Sequence, residues 1–210
     1  MKFCLAAMAA FALSSVSAEA FVERQSPTVV GTIDASVATV NYTVSTYLVT
    51  IASSIAVIKN EPNAYTAIAQ QAINAIKNSA KNITAALTDS SGNIIRVTTT
   101  GLGELNIRAA ILVQSEIDML ARDIDTIKNI LTNINASVKV VHADLDQTVN
   151  ALVRAEFAAL SAALRSFVGP VAAFASAAAT LSITASVTGI RNAITSLISI
   201  IAGVYATLGI

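Results

Sequence analysis

Apolar side chains recur along this chain at alternating intervals of three and four. In the first such stretch they fall at Val30, Ile33, Val37, Val40, Val44, Tyr47 or Leu48, Ile51, Ile55 and Ile58. A strand would repeat every second residue, so the spacing predicts a helix despite the many β-branched side chains. Ser26-Pro27 supplies an N-cap residue followed by proline at the first helical position. A helix from 27 to 60 would run roughly 50 Å at 1.5 Å per residue, and such a rod needs partners along its length.

Asn60-Glu61-Pro62 interrupts the pattern. A second helix follows with Tyr65, Ala69, Ala72, Ile76, Ala80, Ile83 and Leu87 on one face, and Asp89-Ser90-Ser91-Gly92 reads as the turn that ends it. The small residues of this face favour close packing against the first helix as a hairpin. After an irregular stretch at 93–103 the period resumes at Ile107, Ile117, Leu120, Ile124, Ile127, Leu131, Ile134, Val138, Val141, Leu145, Val149, Leu152, Leu160 and Leu164. Gly169-Pro170 reads as its stop. One helix of that length is unusual in a globular domain, so a break is expected near 135–144. The last seam runs through Val187, Ile190, Ile194, Leu197, Ile201, Val204 and Leu208, and from Val171 onward the only charge is Arg191. These elements predict an all-α fold, a bundle of about four to six long amphipathic helices. The bundle domain spans 26–168, and 169–210 forms an apolar C-terminal helical segment packed on it.

Composition sharpens this picture. Of the 210 residues 54% are hydrophobic and 12% charged, which excludes a disordered chain. Lysine plus arginine equals aspartate plus glutamate at 13 each, with no basic run, so nucleic acid is not the expected partner. Lys2, the apolar Phe3–Leu13 run and Val16-Ser17-Ala18 have the form of a signal peptide over 1–18, with Ala18-Glu19-Ala20 as a second cleavage position. A short segment, 19–25, would follow, with Arg24-Gln25 as a further trimming point. The one cysteine, Cys4, lies inside that signal, so the secreted chain would carry neither thiol nor disulfide. Asn41-Tyr42-Thr43, Asn82-Ile83-Thr84 and Asn135-Ala136-Ser137 are N-glycosylation sequons, making Asn41, Asn82 and Asn135 candidate carriers in a wall or extracellular setting.

The chemistry of catalysis is thin. His142 is the sole histidine, which leaves no second imidazole for a triad or a metal site. It reads as a solvated side chain beside Asp144. Asp123 and Asp125 are two apart, which on a helix points them to different faces. Gly101-Leu102-Gly103 lacks the preceding strand and third glycine of a phosphate loop. The charges at Glu116, Asp118, Arg122, Asp123, Asp125, Lys128, Asp144 and Asp146 read as a solvated helix face. No enzyme activity, metal or cofactor is expected.

The secretion signal, the cysteine-free mature chain, the opening Val30-Gly31-Thr32-Ile33-Asp34 and the repeated Ala/Ile/Ser/Thr-rich amphipathic helices together resemble the fungal hydrophobic surface binding protein A family, also called cell-wall galactomannoproteins. The resemblance covers residues 26–168 and lies in pattern and composition. It implies a helical bundle, secreted or wall-associated, that adsorbs to hydrophobic surfaces and in some members accepts fatty acids between its helices. The nearly uncharged last forty residues depart from that pattern. For a lipid site, Val37, Val44, Ile51, Ile76, Ile124 and Leu131 are the candidates, although a helical stripe is usually core and the ordinary-core reading of the same six is the favoured one.

Three functions compete on the sequence. The first is an amphiphilic binder of a hydrophobic surface or lipid. The second is a passive structural wall glycoprotein associated with polysaccharide. The third is membrane contact or glycolipid anchoring through 193–210.

Overall fold

The computed structural model describes residues 28–61, 63–98, 107, 109, 111–181 and 187–208, with side chains as far as 204. The proposed signal peptide, the 19–25 segment, Ser26-Pro27 and Gly101-Leu102-Gly103 lie outside these residues. The fold is all-α, five packed helices with no strand among the described residues: α1 (Val29–Lys59), α2 (Ala67–Thr98), α3 (Gln114–Asp144), α4 (Gln147–Leu181) and α5 (Thr188–Leu208).

Local chemistry sets the ends. Thr28 caps α1, its Oγ1 accepting from the Gly31 N–H at 3.0 Å. Thr66 does the same for α2: its hydroxyl accepts from Ala69 N–H at 3.1 Å and donates to Glu61 at 2.8 Å. At the start of α3 the Glu116 carboxylate accepts from the Val113 N–H at 3.2 Å. Asp146 caps α4 by accepting from the Val149 N–H at 2.8 Å. Arg191 of α5 reaches back to donate to the Ala179 carbonyl near the end of α4 at 3.0 Å.

Three expectations about breaks need correction. The turn at Asp89–Gly92 does not form: α2 continues through it to Thr98, and Ser90 and Ser91 are buried. The break between the third and fourth helices falls at Leu145-Asp146, just beyond the expected window, because Asp146 is an N-cap and buried Leu145 pins the corner. Gly169-Pro170 does not stop α4, which runs on to Leu181, so the boundary drawn at 168 falls inside a helix. Proline cannot donate to the carbonyl four residues back, which here is that of Ser166. The Ser91 hydroxyl of α2 donates to that carbonyl instead, at 2.7 Å.

The helices close a ring. α1 packs on α2 and α3, α2 packs also on α4, and α5 fits between α3 and α4. α1 and α2 are antiparallel. Lys59–Asp144 (3.2 Å) joins the ends of α1 and α3, which run parallel. Lys81–Glu156 (3.9 Å) and Ser91–Ser166 join α2 to α4 at a constant offset, so these two also run parallel. Because α2 and α3 are not ring neighbours, the chain needs 99–113 to pass from one to the other, and buried Ala109 and Leu112 anchor that passage.

The inward seams meet in one continuous core. On α4 the buried face keeps Val149, Leu160 and Leu164 and adds Val153 and Phe157, so Val153 takes the inward place expected of Leu152, which lies at the surface. Tyr65 and Ile107, placed on inward faces by their spacing, are exposed because each lies outside the long helices. α5 buries Ile190, Leu197 and Val204, while Ile194 and Ile201 are only half-buried.

Candidate functional site

The six seam residues proposed for a lipid all lie in the core. Val37, Val44 and Ile51 of α1, Ile76 of α2, and Ile124 and Leu131 of α3 are each almost fully buried within the same cluster. They are brought together, and their side chains pack against protein.

The opposite face of α1 is a second apolar stripe. Ala35, Ala38, Tyr42, Ser45, Val49, Ala52 and Ala56 again repeat at three and four, on the side turned away from the inward seam. All are exposed except half-buried Ser45, with Tyr42 at 74% and Val49 at 64%. No charged residue lies between Asp34 and Lys59. Nor do the hydroxyls along this side offer free protons: Thr39, Thr43, Ser45, Thr46 and Ser53 each donate to a backbone carbonyl three or four residues back, at 2.9–3.0 Å. A helix apolar on both sides is ordinarily covered on both. Here one side has the core and the other faces solvent.

Sequence reasoning did not single out this stripe. The signal was present as a second three-four repeat, hidden among threonines and serines that count as polar by composition. Hydroxyls bonded to their own helix backbone keep acceptor capacity but lose their donor, so that count overstates the polarity of the face.

The remaining groups fall into place around it. α3 carries much of the charge, with Asp118, Arg122, Asp125 and Lys139 exposed; Asp123, expected on the solvated face, is instead buried because two residues of helix turn it inward, away from Asp125. His142 is exposed. Among the described residues no three histidines, cysteines or carboxylates group as metal ligands would. Asn41 and Asn82 are exposed; Asn135 is half-buried, with its side-chain oxygen shut off from solvent. α1 and α4 are by length and composition apolar enough to cross a membrane. Both pack in the ring, and the 193–204 part of α5 packs its inward side on α3 and α4.

Beside the stripe, α1 and α2 border an open groove of about 990 Å³, lined from Gly31 to Tyr47 on α1 and from Asn82 to Arg96 on α2. None of the six core residues lines it.

Compared with protein-family models, with curated proteins and with solved structures, the chain matches none.

Proposed function

We propose that this protein is a secreted amphiphilic helical bundle that works by binding, not catalysis, and that it attaches to hydrophobic surfaces or lipid through the outer face of α1. The observation that carries this reading is the uncharged stripe from Ala35 to Ala56, along which the hydroxyls of Thr39, Thr43, Ser45, Thr46 and Ser53 donate to their own helix. Moving such a face from water onto an apolar phase is favourable by about 25 cal/mol per Å² of apolar area. No helix has to leave the core for that contact, so adsorption and folding do not compete. The absence of lysine and arginine along the stripe favours a neutral apolar phase over an anionic bilayer, where basic side chains on the polar flanks would add attraction. A fatty acid lodged among Val37, Val44, Ile51, Ile76, Ile124 and Leu131 is a deeper version of the same function, and it would require the helices to part.

Depletion of the purified protein onto hydrophobic beads, with uptake of a fluorescent fatty acid measured in parallel, tests this reading. Saturable depletion is the expected result. Absence of both depletion and uptake removes the proposal and leaves the second reading, a structural wall glycoprotein, which the exposed sequon residues Asn41 and Asn82 favour.

A further inference from the structure

The groove between α1 and α2 differs in kind from the stripe beside it. Its lining includes Tyr42 and Tyr47 from α1 and Asn82, Asp89, Asn93 and Arg96 from α2. The α2 residues fall on one outward face of that helix, and none of the six side chains is held by a hydrogen bond or ion pair among the described residues. The threonine hydroxyls that also line it, those of Thr32, Thr39, Thr43 and Thr46, are spent on backbone carbonyls. In the groove, amide, phenol, carboxylate and guanidinium groups remain unspent, and they include both donors and acceptors. Their charges, one negative and one positive, cancel. The two tyrosines add broad apolar rings with polar tips. The groove follows seventeen positions of α1, roughly 25 Å at 1.5 Å per residue, and it is open.

These properties select a ligand. A fatty acid offers one carboxylate to six free polar groups and leaves its acyl chain beside the rest, and a polyanion would meet Asp89 without a cationic surplus. A neutral polyhydroxylated chain satisfies donors and acceptors together and presents C–H faces to the tyrosine rings. We propose that the α1–α2 groove is a binding site for a neutral oligosaccharide several rings long. The site borders the outer stripe and shares Ala35 and Tyr42 with it. Its saccharide has two sources: a chain from outside, or an N-glycan carried by Asn82, which itself lines the groove.

Thr84→Ala separates the sources, because it abolishes the Asn82 sequon while Thr84 itself does not line this groove. Calorimetric titration of the full secreted protein, wild type and Thr84→Ala, is made with linear neutral hexasaccharides of β-glucose, β-N-acetylglucosamine and mannose. Saturable binding of at least one hexasaccharide by both proteins supports a ligand from outside. Binding by Thr84→Ala alone supports occupation by the protein's own glycan. In either case Tyr42→Ala and Asn93→Ala, placed in the Thr84→Ala background, weaken binding by about tenfold each. Circular dichroism shows that the variants remain folded. No saturable heat from Thr84→Ala with any of the three sugars overturns the proposal, and so does binding that survives both substitutions unchanged.

Discussion

The Ser91 hydroxyl donates a 2.7 Å hydrogen bond to the carbonyl of Ser166, on a helix 75 residues further along the chain. That carbonyl is the one Pro170 cannot serve. An interior proline costs a helix about 3 kcal/mol, through the lost bond and the clash with that same carbonyl. Ser91 removes the part of the cost that comes from an unpaired acceptor. It is itself buried, so its hydroxyl has no water as an alternative, whereas Ser166 lies at the surface.

Ser91→Ala should therefore destabilise the protein by about 0.5–1.5 kcal/mol, read from denaturant unfolding. In a Pro170→Ala background the restored N–H at 170 serves Ser166, and the same substitution should cost clearly less. Strict additivity of the two changes would show that the serine and the proline are not coupled.

Ser161 of α4 presents the opposite case. It is fully buried, and its hydroxyl has no hydrogen-bond partner among the described residues. Ser161→Ala removes a desolvated group without opening a large cavity, so stability should be unchanged or rise by about 1 kcal/mol. A loss beyond 1 kcal/mol would mean that the hydroxyl is engaged.

Gly92 stands in α2, where a turn would be read from Asp89-Ser90-Ser91-Gly92. A β-carbon built there meets nothing within 4 Å. Gly92→Ala should raise stability by about 0.5–1 kcal/mol, the gain expected in a helix interior. A destabilisation of similar size would argue for the turn.

Much of the fold is legible because inward seams keep the helical period: Val30 to Ile58 and Ile117 to Val141 are buried as their spacing predicts. What misleads are residues whose cost or benefit is settled by a distant partner. Gly169-Pro170 reads as a stop until Ser91 is brought beside Ser166, and Asp89–Gly92 reads as a turn until Ser90 and Ser91 find a neighbouring helix to pack on. Asp146 is a legible cap, passed over because its neighbours continue the apolar period. The outer stripe of α1 was equally readable as a repeat. The engagement of its serine and threonine hydroxyls with their own helix was not, since that depends on where each hydroxyl proton goes.

Val49, at the middle of that stripe, offers the sharpest test of adsorption. Val49→Asp should reduce depletion onto hydrophobic beads severalfold while leaving unfolding within about 0.5 kcal/mol of wild type, as exposed substitutions usually do. Thr132→Asp on the charged face of α3, also exposed, is the control and should adsorb normally. Equal adsorption of both variants would move the contact away from α1.

The sequons should not be equivalent. Asn41 and Asn82 are exposed, whereas the amide oxygen of Asn135 is enclosed by the bundle. Glycopeptide mass mapping of the secreted protein should find glycan on the first two and an unmodified Asn135. Full occupancy at Asn135 would contradict the packing of α3 at that point.

The order of helices around the ring also dictates a timetable. The α1–α2 hairpin closes over a short stretch of chain, whereas α2 meets α4 across a separation of 75 residues and α1 meets α3 across 85. Contacts so distant in sequence slow folding relative to an up-and-down bundle whose successive helices are all neighbours. Until they form, the newly made hairpin exposes its inner apolar seam as well as its outer one. The growing chain thus passes through an interval in which it is stickier than the finished molecule, and that interval ends only when the last helix seals the ring.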